Sequence, residues 1–157
     1  PFSYEGRHFR ARRTEQMLPP PAVQQPRIPI WVVGMWPRPR SMRRVVHADG
    51  WIPNYAPPGV ELGGPEVQAA AYTPAIAAEA IAWLRAERVR AGLDRRPFAI
   101  VQEGTTSATD AASARATVQP WADVGVTWWL ESDWSMPVER VEAASRARLA
   151  AGPPVVG

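Results

Sequence analysis

Three groups of polar residues in this chain follow apolar runs, and each suits a particular chemistry. Gly34, Met35 and Trp36, with Arg38 and Arg40 close behind, come directly after the run IPIWVV. Backbone amides at a Gly-led turn into a helix, with guanidinium groups beside them, favour an anion such as phosphate. The order G-M-W-P is neither a P-loop nor a dinucleotide fingerprint, and Pro37 brings no amide donor. Glu103 and Glu131 close the runs PFAIVQE and VTWWLE. Two carboxylates at strand ends are the pair that acid/base chemistry on a glycosidic bond uses, but the pattern alone favours each ending its strand in solvent or pairing with an arginine. Asn54, beside Tyr55 at the end of WIPNY, is a third polar group at a strand end. The anion-binding candidates are therefore Gly34, Met35, Trp36, Arg38 and Arg40. Asn54, Glu103 and Glu131 are the substrate-pocket candidates, and no residue stands out as a general base.

Other chemistries find little to work with. The chain has no Cys, which removes disulfides, thiolate metal sites and a Cys nucleophile. His8 and His47 are the only histidines and have no companions at metal-ligand spacing, so no metal site is expected. Ser132 and Ser135 read as turn and cap residues rather than as a nucleophile elbow. Trp36 and Trp134 fall in strand-end loops, where an aromatic side chain can pack on a flat ring.

These groups must be held by regular elements, and the spacing supplies them. Strands are expected at Ile28–Val33, Trp51–Tyr55, Pro97–Glu103 and Val126–Glu131. The second is expected to be short because Pro53 interrupts a central ladder. A short basic helix over Ser41–Ala48 would pack Met42, Val45 and Val46 inward. Thr73 as N-cap, Pro74 in the first turn and Gly92 as stop define the clearest helix. A third helix spans Ala111–Val124, broken or restarted by Pro120, with Gly125 closing it. A fourth runs from Ser135-Met136-Pro137 to Gly152, with Val138, Val141, Ala144 and Leu149 in one arc. Residues 1–27 form an irregular lead, in which PFSYEGRHF suits a hairpin or an arm turning at Gly6 and Pro19–Pro21 favour polyproline-like extension. Residues 56–72 are a Pro/Gly-rich excursion.

Four strands alternating with helices imply an α/β fold with parallel pairing and right-handed crossovers. Four such units make half of a (β/α)8 barrel or, alternatively, a small open doubly wound sheet. Length and an apolar fraction of 46% are those of a globular domain. No apolar run is long enough to span a bilayer and no signal peptide is evident, so a cytoplasmic protein without membrane contact is the expectation. The net charge is only +3, all 18 basic residues being Arg. It is unevenly placed: +7 over residues 1–48 and −4 over residues 49–157. An Arg-rich nucleic-acid binder using residues 7–44 is a weaker alternative, because Arg38, Arg40, Arg43 and Arg44 spread around a loop and short helix rather than along one face.

F-x-Y-x-G-x-H-F, then P-x-x-Q-x-P-R-I-P-I-W-V-x-G, then R-R-x-x-H-A-D-G-W-x-P and the tail G-V-T-W-W-L-E…A-G-P-P resemble the second half of luciferase-like monooxygenases. The resemblance covers nearly the whole chain in order. It implies strands five to eight of a (β/α)8 TIM barrel over residues 28–157, with an N-terminal half preceding Pro1. It further implies a flavin-type oxidoreductase that transfers hydride with FMN or coenzyme F420 on a small organic substrate. Gly34, Met35 and Trp36 match the family's phosphate-holding loop but lack its hydroxyl residues, so main-chain amides and Arg38 or Arg40 would have to substitute. The half barrel alone is expected to be inactive and either marginally stable or prone to associate, and the full-length protein to be a possible homo-oligomer. A non-catalytic, phosphate-binding relative of the same barrel is the alternative.

Overall fold

The computed structural model describes residues 2–14, 23–25, 27–61 and 71–157. β1 (Phe2–Glu5) and β2 (Arg10–Thr14) form an antiparallel hairpin with Tyr4 opposite Ala11. The chain turns at Gly6, whose N–H donates to the Phe9 carbonyl, as PFSYEGRHF predicts. The Pro19–Pro21 extension lies outside the described residues.

Strands and helices then alternate: β3 (Trp31–Trp36), α1 (Pro39–Val46), β4 (Gly50–Tyr55), α2 (Pro74–Arg90), β5 (Ala99–Gly104), α3 (Ala111–Asp123), β6 (Trp128–Glu131) and α4 (Val138–Ala151). The four strands make one parallel sheet in the order β3-β4-β5-β6. The expected α/β alternation is therefore present, with local shifts that have physical causes. β3 starts later than expected and runs on to Trp36, because β4 pairs with it as far as Trp36 opposite Tyr55. Gly34, Met35 and Trp36 are thus strand residues, not a loop. Pro53 does not shorten β4, which sits opposite Gly34 in the β3 ladder at that point. Its effect falls on the other side. Ala99 N–H donates to the Asp49 carbonyl, so odd-numbered residues of β4 face β5. Pro53 has no N–H to offer there, and the paired β4–β5 residues are Gly50–Ala99 and Trp51–Ile100.

The helices follow their local signals. Thr73 Oγ1 accepts from Ile76 N–H at the start of α2, and Gly92 (φ 67°) ends it. Asp110 accepts from Ser113 N–H at the start of α3. Pro120 does not break α3: Trp121 and Val124 beyond it pack against the core and hold the helix on course. The core lies between α1, α2 and one face of the sheet, built from Met42, Val45, Trp51, Ala77, Ala80, Ile81, Leu84 and Ile100. The alanines let α2 approach closely. α4 departs from expectation, since none of its residues is buried and Val138, Val141 and Leu149 stand exposed.

The opposite face of the sheet carries no helix among the described residues. Alternation and register place Trp31, Gly50 and Ala99 in one row there, and Val33 with Ile52 in the next. The Trp31 and Trp128 rings, from the two edge strands, meet on this face at 5.2 Å. That contact requires a strongly curved sheet. A Cβ on Gly50 would lie 2.4 Å from Trp31 Cδ1, so only glycine leaves room for the ring.

Asp49 ties the amino ends of three strands together. Its backbone N–H donates to Ile30, its carbonyl accepts from Ala99, and its carboxylate accepts from Ile30 N–H at 2.7 Å and pairs with Arg27. The Ile30 amide, and then Arg27, hold the carboxyl below its usual range. Its contribution is complete above the unfolded-state value of about 3.9 and is lost as pH falls through the lower folded value. Asp49→Asn is expected to lower the melting temperature at pH 7 and to flatten the acid limb of a stability–pH profile. An unchanged acid limb would contradict this assignment.

Candidate functional site at the carboxyl ends of the strands

The carboxyl-end row of the uncovered face is Met35, Asn54, Glu103 and Leu130. Met35 pairs with Asn54 and Glu103 with Leu130, and the Gly50–Ala99 register brings Asn54 level with Glu103. Asn54 and Glu103 are exposed and have no side-chain hydrogen bond among the described residues. Three residues picked from the sequence, Met35, Asn54 and Glu103, on three different strands, thus share one row, polar at Asn54 and Glu103, above an apolar floor of Val33, Ile52 and Val101.

Beside this row, an open groove of about 800 Å³ runs between β3 and α1. Met35, Arg40, Ser41, Arg43, Arg44 and Asn54 line it, with Arg38 at its end. α1 has no acidic residue in its first turn, and Arg40, Arg43 and Arg44 have no ion-pair partner among the described residues. The first-turn amides of Arg40 and Ser41 have no acceptor within the helix. Ser41 Oγ accepts from Met35 N–H at 2.9 Å, which fixes its position and leaves its hydroxyl hydrogen free to donate. Ser41 is the residue that reading the sequence missed. Its signal was a hydroxyl in the first turn of a basic helix, but its role depends on the Met35 amide across the loop.

The other candidates serve the fold. Arg38 is turned to the β4–α2 connection, donating to the carbonyls of Pro57 and Val60. Its Nε is buried without a partner among the described residues. Trp36 packs on Trp83 of α2 with ring centroids 5.6 Å apart, on the helix side of the sheet. Gly34 is closed in by Val45 and Trp51, and its carbonyl accepts from Trp51 Nε1 at 3.0 Å.

Glu103 and Glu131 do not form a pair. Glu103 is level with Leu130 and Gly104 with Glu131, so alternation sends the two carboxylates to opposite faces. Glu131 is held by Thr106, which donates both its N–H and its hydroxyl, and by Trp129 Nε1. Arg148 of α4 donates to the same Thr106 hydroxyl oxygen at 3.0 Å. This network pins α4 and the β5–α3 loop to the end of β6. His8 lies in the β1–β2 turn and His47 is the C-cap of α1. Trp134 is exposed in the β6–α4 connection. Among the described residues no cluster of His, Asp or Glu suited to a metal occurs, and no helix is long and apolar enough to cross a membrane.

The site is therefore that of an α/β protein with a polar row and a basic groove at the carboxyl ends of parallel strands, where such sheets hold ligands. No family model, curated protein or solved structure matches the chain.

Proposed function

We propose that the chain forms strands five to eight of a (β/α)8 barrel of the luciferase-like monooxygenase kind, and that the complete barrel is a flavin-type oxidoreductase using FMN or coenzyme F420. The observation that carries this reading is the strand order. Parallel strands running consecutively through a sheet, joined by crossovers of one hand, send all their helices to one face. An open doubly wound sheet must reverse its order to cover both faces. Here the order does not reverse, and the uncovered face is the one that curves, with its polar row at the carboxyl ends.

The groove fits the phosphate of such a cofactor. Two first-turn amides, the Ser41 hydroxyl and the guanidinium groups of Arg40, Arg43 and Arg44 converge on one apolar-floored channel. Arg38 is excluded from this role by its bonds to Pro57 and Val60. When bound, the ring system supplies hydride transfer. The chain supplies the rest: an anion seat at α1, an apolar wall from Val33 and Met35, and Asn54 and Glu103 facing a small organic substrate. Glu131 takes no part, because its carboxylate lies on the other face.

The test is a fluorescence titration of the polypeptide containing both barrel halves with FMN and with F420. Arg40→Gln combined with Arg43→Gln is expected to weaken binding at least tenfold, with the difference shrinking as salt rises. Absence of binding by either cofactor would overturn the reading. Binding without turnover on any hydride donor or acceptor would favour the non-catalytic relative.

A further inference from the structure

On the helix side of the sheet, away from the polar row, α4 stands off β6 and leaves a cavity of about 720 Å³. Val118 and Trp121 of α3, Trp129 of β6, Leu149 of α4 and the tail prolines Pro153 and Pro154 line it. These walls all belong to this chain. They are also fixed from outside the cavity, which keeps it from collapsing. Trp129 lies over β5, where a Cβ on Gly104 would come within 2.6 Å of its ring, and its Nε1 donates to Glu131 at 3.2 Å. The Trp121 ring packs on Tyr72 with centroids 5.6 Å apart. Arg148 ties α4 to the β5–α3 loop through Thr106 Oγ1 and the Ser107 carbonyl, and to the start of the tail through the Gly152 carbonyl. The tail is held across α3 by Gly157 N–H, which donates to Gln119 Oε1 at 3.1 Å. Two indoles and an aliphatic rim held in this way suit a flat apolar molecule.

One part of the lining is polar. Arg148 and Glu131 both contribute to it, and the Thr106 hydroxyl lies between them, accepting from Arg148 at 3.0 Å and donating to Glu131. The two charges offset each other across that hydroxyl, so neither an anion nor a cation is favoured there. Their hydrogen bonds do not balance in the same way. The Glu131 carboxylate already accepts from the Thr106 N–H, the Thr106 hydroxyl and Trp129 Nε1. Arg148 has donated both hydrogens of Nη1 and one of Nη2, which leaves its Nε–H and a second Nη2 hydrogen without an acceptor among the described residues. What the lining lacks is an acceptor.

We propose that this cavity is a second ligand site, for an uncharged aromatic molecule with a carbonyl oxygen that accepts from Arg148. The ring system lies between the α3 and β6 indoles and the Leu149 rim, and the oxygen fills the hydrogen-bonding capacity that Arg148 has left. The site is distinct from the groove at α1, because Trp129 and Glu131 take the face of the sheet opposite to Asn54 and Glu103. It does not depend on the barrel reading.

Equilibrium dialysis of the chain compares 2-acetonaphthone with 2-isopropenylnaphthalene, which has the same shape without the oxygen. The ketone is expected to bind at least about tenfold more tightly, the effect of one hydrogen bond to a charged donor. Ala122→Phe places a ring in the cavity and leaves Arg148 untouched, and should abolish ketone binding. Arg148→Met should remove the preference for the ketone while the hydrocarbon still binds. If far-UV circular dichroism shows that this variant loses its fold, the two probes and Ala122→Phe decide the matter. No ketone binding, equal affinity for the two probes, or ketone binding unchanged by Ala122→Phe would overturn the proposal. Tighter binding of 2-naphthoate than of the ketone would show an anion site instead and overturn it as well.

Discussion

Arg88→Ala is expected to cost the fold about 3–5 kcal/mol, because several buried carbonyls lose a charged donor at about 1–3 kcal/mol each. Arg88, in the last turn of α2, is only 5% exposed. Its Nη1 donates to the carbonyls of Val46 and Ala48, and its Nη2 to those of Leu93 and Arg96. Its guanidinium also lies 4.2 Å from the centre of the Phe98 ring. The Val46 carbonyl is one that α1 leaves without an intrahelical partner, at the negative end of its dipole, whereas those of Ala48, Leu93 and Arg96 belong to the turns into β4 and β5. One cation therefore closes the end of α1 and the turns into β4 and β5. Burial lowers the guanidinium pKa, yet arginine stays charged across the working range. Truncation removes the donor these four carbonyls share, although that of Leu93 keeps the Arg96 N–H. Arg88→Lys keeps the charge but offers a point donor in place of the fork, and should recover about half of the loss. Urea denaturation measures both; a loss below about 1 kcal/mol for the alanine variant would contradict this account.

Features set by near neighbours in the chain were legible from the residues. The Thr73 cap, the Gly92 stop, the Gly6 turn and the strand–helix alternation each depend on a few adjacent positions. Features set by pairing were not. Whether Gly34–Trp36 form a loop or a strand depends on β4, and only the register shows that Pro53 spends its missing N–H on the β5 side. The separation of Glu103 from Glu131 is a matter of parity: one residue of register decides which face a carboxylate takes. The site was legible in part for the same reason. Met35, Asn54 and Glu103 lie at strand ends and Arg40 in the first turn of the helix that follows one, places which the alternation locates. Arg38 and Trp36 also lie there, but a loop carbonyl and a tryptophan from α2 claim them.

The A-D-G-W turn shows what kind of information such a motif holds. Asp49 joins three strands, Gly50 makes room for Trp31, and Trp51 fills the core and donates to Gly34. None of the three lies in the groove or the polar row. The motif specifies how β3 and β4 meet, and so it bears on architecture more than on chemistry.

Gly34 gives the sharpest contrast between those two roles. A glycine that let the backbone approach a phosphate could be replaced by alanine with lost anion binding and unchanged stability. The structure gives it another task. A Cβ there would lie 2.3 Å from Val45 Cγ2 and 2.8 Å from Trp51 Nε1, and both neighbours are fully buried. Neither can move outward without opening the contact between α1 and the sheet. Gly34→Ala is therefore expected to destabilise by about 1–3 kcal/mol, the cost of forcing a methyl into a packed core. Val45→Ala by itself leaves a small cavity and should also destabilise. Combined, the two should cost at least about 0.5 kcal/mol less than their sum, because the second substitution removes the atom the first one strikes. Thermal and urea denaturation of the four proteins in that cycle decide the matter. Strict additivity, or a Gly34→Ala protein as stable as the wild type, would return Gly34 to the ligand.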